Sequence, residues 1–235
     1  MLAASGLKPE RAAALATLLL WFDTAGLPDF GVRTLPELLD RIARGEIDVK
    51  AEGKVGPERG ATAVMNGQNG PPLLILERAG QIAVEKAREF GVGLVRVRGI
   101  GSVASAAAIV AEIAIGPMAA AAVGWNVAWS SAYPSAEGLP LVLDSAFSQN
   151  PSPAILPLLI EGEWLVQAIA VTATETLAVV QSRVSAAAAH ADLRLSPKHL
   201  EDHRRESFEH GIVLDEALVL DLKSRAKHLG VSEVF

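Results

Sequence analysis

The stretch Ala83–Arg98, AVEKAREFGVGLVRVR, with Gly99–Ala104, GIGSVA, behind it, decides how this chain folds. Leu76, Ala79, Ala83, Ala87 and Phe90 recur at helical spacing and Gly91 supplies a stop, which predicts a helix over Leu73–Phe90. Gly93–Arg98 is a β-run, and the turn after it opens a second helical run, Ser102–Ile115. A G-x-G-x-x-A turn between strand and helix can ring a pyrophosphate with backbone N–H groups. The next β-run, Met118–Val123, however, ends at Gly124-Trp125-Asn126 with no acid to hold a ribose. With half of the fingerprint missing, a strand–helix turn packed tightly by glycines is the better reading.

Towards the N-terminus, Ala61–Met65 reads as a strand running into the turn Asn66–Gly70, and residues 46–60 as a charged, glycine-containing link. Two further helices precede it. One spans Pro9–Thr24 and stops at Gly26 and Pro28; the other starts at the cap Thr34 and ends near Gly45. Towards the C-terminus, Leu141–Leu143 is a short strand, while Ile155–Val171 is apolar without a clear period, so strand and helix both stay open. Thr172 and Glu175 have the spacing of a capping box for a helix to about His190, and Ser196 and Asp215 cap two charged helices. The last presents Leu218, Leu222, Ala226 and Leu229 on one side, a stripe that the apolar first helix is expected to cover.

The 235 residues are 50% hydrophobic and 20% charged, which excludes disorder, and 40 alanines predict a closely packed, helix-rich core. Residues 91–190 hold nine charged side chains against 16 in residues 191–235, so the middle is core and the end a solvated helical layer. The net charge of −6, without a basic stripe, argues against nucleic acid or an anionic membrane as partner. The uncharged run Ile113–Ala136 is interrupted by glycines, prolines and polar residues that a membrane span would not tolerate, and Ala12–Phe22 lacks a signal-cleavage site. With no cysteine, a cytoplasmic protein without disulfides, thiolate nucleophiles or zinc–thiolate sites is expected.

Chemistry-bearing residues are sparse. Ser102, Asp144 and a later histidine follow the chain order of α/β-hydrolases, but Ile100 stands where a nucleophile elbow needs a small residue, so a helix N-cap serine is the better reading. His199 and His203 lie one helical turn apart, which is metal-ligand spacing, yet in the most charged segment of the chain; a solvated face is expected and no metal.

Several segments together resemble the malate/L-lactate dehydrogenase-type oxidoreductases, a non-Rossmann NAD(P)-dependent family. Phe30-Gly31-Val32 with Leu35-Pro36 is similar to the family's Ser-His-Gly-Val-x-Arg-Leu-Pro segment, and Ala61–Gly70 (ATAVMNGQNG) to its Asp-Gly-Asp-Asn-Gly turn. Ala83–Arg98 resembles the following helix and strand, Leu139–Ser148 (LPLVLDSAFS) the Val-Leu-Asp-Met-Ala-Thr-Ser stretch, and Gly211–Val231 the C-terminal helix. The resemblance implies an α+β fold of three layers, a mixed sheet flanked by helices, with a helical layer from both termini. It divides the chain into a helical unit, residues 1–60 plus 191–235, and a mixed-sheet, nucleotide-binding-like core, residues 61–190.

The departures bear on function. In the family the histidine donates a proton to the reduced carbonyl or imine and the arginine four residues on binds the substrate carboxylate; here Phe30 and Thr34 stand in their places, and neither can do that work. Arg33 is the nearest substitute for the carboxylate contact. The family's second histidine is replaced by Ser102, and its later lysine has no counterpart near residues 156–164. Arg98, Gly101, Ser102, Asn126 and Asp144 are the expected cofactor- or ligand-binding set, with a small anion beside Arg98, Gly101 and Ser102 unless Arg98 pairs with an acid such as Asp144. Two functions follow from the resemblance. The first is a catalytically silent or re-purposed oligomer, a homodimer or a hetero-oligomer with a paralogue, serving as a ligand-binding protein or partner subunit. The second is an active NAD(P)H-dependent reductase of a small 2-oxo acid or cyclic imine carboxylate, its proton coming from water, Ser102 or a partner chain.

Overall fold

The computed structural model describes residues 1–125, 128–146, 159, 161–189 and 195–232. In chain order the elements are α1 (Pro9–Thr24), 3₁₀ turns at Pro28–Phe30 and Val32–Thr34, α2 (Leu35–Ala43), β1 (Lys54–Arg59), β2 (Thr62–Asn66), α3 (Pro72–Phe90) and β3 (Val92–Arg98). Then come α4 (Ala107–Ile113), β4 (Met118–Gly124), β5 (Trp129–Tyr133), β6 (Leu141–Asp144), β7 (Trp164–Ala170), a 3₁₀ turn at Val171–Ala173, α5 (Leu177–Ala189), α6 (Pro197–His210) and α7 (Glu216–His228).

The strands form one mixed sheet in the order β1-β2-β3-β7-β4-β5-β6. Among the described strands only β2 and β3 run parallel, with α3 as their crossover. β7 lies between β3 and β4, antiparallel to both. This settles the open segment Ile155–Val171: its described part is a central strand, and burial on both faces removes the alternation by which strands are recognised.

Helix α3 starts at Pro71-Pro72 and stops at Gly91, whose φ of 81° is the left-handed conformation of a C-cap glycine. Leu76, Ala79, Ala83 and Ala87 are fully buried, and a Cβ on Gly93 would stand 1.9 Å from the Ala83 carbonyl, so small residues bring helix and strand into direct contact. Phe90, expected on the buried stripe, is instead 47% exposed, because it sits on the last turn before the chain reverses.

Helix α3 packs against β3 and β7, α4 against β4, β5 and β6, and α1 lies on both helices. α1 also touches α6, and Arg225 of α7 forks onto Asp40 of α2, so both chain ends contribute to the helical layer. Buried Leu15, Leu19 and Phe22 of α1, Leu200 of α6 and Leu222 of α7 join the same apolar core as the sheet. Ser196 and Asp215 cap α6 and α7 as expected, their side chains accepting from the His199 and Leu218 amides.

Three other expectations are corrected. The link 46–60 contains β1, an edge strand carrying Pro57 at a register shift, and its almost wholly exposed side chains hide it from pattern reading. The second central helix begins at Ala107, not Ser102, because residues 101–106 form an irregular, partly buried approach in which the Ser105 and Ser130 hydroxyls accept the Ala107 and Ala106 amides. The Thr172–Glu175 capping box does not form: a 3₁₀ turn occupies Val171–Ala173, and Glu175 pairs with Arg183.

Candidate functional site

A cavity of about 350 Å³ opens where the 28–34 segment, α2 and the 101–105 approach converge on α1. Its geometry starts at Asp23, in the last turn of α1, whose carboxylate accepts the Val32 amide at 2.8 Å. A Cβ on Gly31 would come within 2.4 Å of that carboxyl group, so glycine allows the carboxylate to seat on the backbone. Burial raises the Asp23 pKa above the ordinary aspartate value, against the opposing pull of the Val32 amide and then of Arg33. The turn held in this way carries Phe30, whose ring packs 5.8 Å from that of Phe22, and Thr34, whose hydroxyl donates to the Gly31 carbonyl at 2.8 Å.

Helix α2 then turns Glu37, Leu38 and Arg41 towards the same opening. Opposite, the turn Asn66–Gly70 is stitched to the end of β3 by Gly67 N–H to Arg98 O, 2.7 Å, and Asn69 N–H to Gly99 O, 2.8 Å. Gln68 and Asn69 both have φ of 55°, and the Asn66 side chain accepts the Gln68 amide at 2.9 Å. This fixes Pro71, Pro72 and Leu73 as one wall and Ser102, Val103 and Ala104 as another.

Phe30, Thr34 and Ser102 thus line one cavity, and these are the positions that the resemblance equates with the proton donor, the carboxylate clamp and the second histidine. Among the described residues no histidine lines it. His203 packs against Gly26, and His199 Nδ1 lies 2.9 Å from the Ser196 hydroxyl. No three potential ligands among the described residues are grouped so as to hold a metal ion, and no helix among them is long and apolar enough to cross a membrane.

The other expected site residues are placed differently. Arg98 pairs through Nε with Glu163 at 2.8 Å; Glu163 is only 2% exposed and also takes Arg96. The acid partner of Arg98 is therefore Glu163, not Asp144. Asp144 is buried and accepts the Ser105 hydroxyl at 2.8 Å, the Ser130 hydroxyl at 2.6 Å and the Ala146 amide at 2.9 Å, which ties α4 to β5 and β6. Ser102 is exposed and caps no helix. Arg33 faces away from the cavity, pairing with Asp29 at 2.9 Å and Asp215 at 3.4 Å. Asn126 and His190 lie outside the described residues.

These contacts also test the fit of a nicotinamide nucleotide to the expected set. Asp144 already accepts three donors, Arg98 shares the single carboxylate of Glu163 with Arg96, and α4 has only seven residues and starts five residues beyond Ser102. Arg98 and Asp144 are thus engaged by protein partners, and no helix N-terminus stands at Ser102 to receive a pyrophosphate.

Sequence reading missed Arg41, Glu163 and Ser105. Arg41 carries a local signal, since it lies one turn beyond Glu37 on the helix that Thr34 opens. Glu163 and Ser105 carry none, because their partners are 67 and 39 residues away.

The chain belongs to the malate/L-lactate dehydrogenase family, whose model matches residues 1–123, just over half of it. It is 30% identical over 93 residues to the L-sulfolactate dehydrogenase of Methanocaldococcus jannaschii, 40% of this chain and 27% of that enzyme. It is 32% identical over 93 residues to the malate dehydrogenase of Pyrococcus abyssi, 40% of this chain and 26% of that one, so the match spans about a quarter of each relative's length. In fold it is similar to malate dehydrogenase from Entamoeba histolytica, TM-score 0.86 at 15% identity over 100% of this chain and 95% of that one. It is also similar to the delta1-piperideine-2-carboxylate reductase from Pseudomonas syringae pvar. tomato, TM-score 0.78 at 20% identity over 97% and 95%.

Proposed function

We propose that this chain is a re-purposed member of its family, which keeps the scaffold and the cavity but binds a ligand, or serves a paralogue as partner subunit, without ordinary hydride transfer. The observation that supports this reading most is the cavity wall itself: Phe30 is packed against Phe22 and the Thr34 hydroxyl is spent on the Gly31 carbonyl. A reduction needs a proton delivered as the hydride arrives, worth about 10²–10⁴-fold in rate, and a phenyl ring supplies none. A threonine bonded to its own backbone cannot form the bidentate grip that sets a carboxylate's angle.

The test is a spectrophotometric assay of NADH and NADPH oxidation with pyruvate, oxaloacetate, other 2-oxo acids and cyclic imine carboxylates. Turnover of the pure protein is expected well below the common enzyme range of about 1–10³ s⁻¹. A rate above roughly 1 s⁻¹ with any of them would establish the alternative, an active NAD(P)H-dependent oxidoreductase. Activity that appears only on mixing with a co-purifying paralogue would assign the partner-subunit role.

A further inference from the structure

We infer that Arg41 is the anion anchor of this cavity, and that its ligand is a monocarboxylate with a branched-alkyl or aryl body, needing no reducible carbonyl. The inference rests on the cavity being a binding site, as proposed above, and adds the class of ligand and the residue that selects it.

Arg41 is the only cationic residue lining the cavity among the described residues, and its side chain is 21% exposed. Its Nε faces Glu46 at 3.4 Å, a long contact, and Glu46 is already engaged by Arg44 at 2.5 Å. The Nη atoms have no acceptor among the described residues, which leaves one edge of the guanidinium fork for a ligand.

Gly101 makes room for this group. A Cβ there would stand 2.1 Å from Arg41 Nη2, so the guanidinium lies flush on the Gly101 backbone, next to Ser102, whose hydroxyl has no protein partner among the described residues. The backbone of Gly101 does not need glycine, since its φ is not in the left-handed region. Glycine at 101 is explained by the arginine it accommodates.

The rest of the cavity selects the body of the ligand. Leu15, Leu19, Phe22, Phe30 and Leu38 form an apolar well beyond the cation, at the small end of the roughly 300–1,000 Å³ range of ligand pockets. Glu37, held by Arg44 at 3.1 Å, adds negative charge at the rim and disfavours a second carboxylate. One end thus recognises a single anionic head and the other excludes polar groups, which would be buried there without partners.

The experiment titrates the full-length protein by calorimetry with 3-phenylpropanoate, with 3-phenylpropan-1-ol, which has the same body without the charge, and with succinate. The monocarboxylate is expected to bind at least tenfold more tightly than either of the others. Arg41→Gln should weaken its binding at least tenfold while the unfolding midpoint stays within a few degrees of wild type. Gly101→Ala is a second variant: its new methyl group meets only the tip of a flexible side chain, so it should weaken binding by displacing the guanidinium and leave the fold intact. No binding of 3-phenylpropanoate by wild type, equal binding of the alcohol or of succinate, or unchanged binding by both variants would each overturn the inference. Turnover with NADH or NADPH would overturn the proposed function instead, and the effect of Arg41→Gln on binding would still be read.

Discussion

Asp23 shows how one half-buried acid shapes the cavity. Its carboxylate holds the Val32 amide and fills the space that glycine leaves at position 31, so it sets the turn on which Phe30 and Thr34 stand. Its pKa is raised by burial, and the sign of the pH effect follows: the neutral acid is favoured in the folded state, so its contribution to stability is complete below the ordinary aspartate value and is lost as pH rises through the higher folded value. Asp23→Asn keeps an acceptor for Val32 but cannot ionise. The variant should therefore gain stability relative to wild type as pH rises from about 4 upwards, checked by chemical unfolding across the acid range. A stability difference that does not change with pH would assign Asp23 no such role. Asp144 is the opposite case, a buried carboxylate fully committed to structure. Asp144→Ala would leave the Ser105 and Ser130 hydroxyls buried without their acceptor and should cost about 3 kcal/mol, whereas Asp144→Asn should cost less. Urea denaturation of the two variants decides this.

Between elements, the clasp of α2 and α7 carries a charge-dependent part of the assembly. Arg225 forks onto Asp40, with its second bond 3.1 Å long, and reaches Asp221 within its own helix. The hydrogen bonds from Arg225 hold the Asp40 carboxyl below the usual carboxylate range. For a lowered acid the sign reverses: the contribution is present above the ordinary value and disappears as pH falls through the folded one. Asp40→Asn should accordingly lower the thermal midpoint at neutral pH, and the gap to wild type should close in acid and narrow in about 1 M salt, where an exposed pair is screened. Differential scanning calorimetry at two pH values and two salt concentrations checks both trends.

At the scale of the whole molecule, a chain that is 50% hydrophobic with a mean hydropathy of +0.31 leaves several large apolar side chains in solvent. Phe208 is 94%, Val213 90% and Leu220 61% exposed, all on or between α6 and α7. Their exposure supports the proposal of an oligomer, most simply a twofold dimer. Light scattering at micromolar concentration should then report twice the 24.6 kDa of one chain, and a stable particle of one chain's mass would count against it.

The sequence by itself determined the elements whose signals are local. Helix α1 has the expected boundaries, α3 starts one residue earlier than read and ends at Gly91, and the caps Ser196 and Asp215 act where they stand, because spacing, proline and cap chemistry act within a few residues. The family was legible for the same reason, since its segments are contiguous and in order. Only the tertiary structure decided which charges meet. Arg98 and Asp144 both read as site residues, yet Glu163, from the segment whose period was unreadable, takes the first, and two serines take the second. Arg41 is not singled out in the sequence, and only the fold brings Gly101, 60 positions along the chain, beneath it. An ion pair or a close approach between distant residues leaves no trace in local periodicity, because its partner is supplied by the sheet order and the layering of helices, which no single segment encodes.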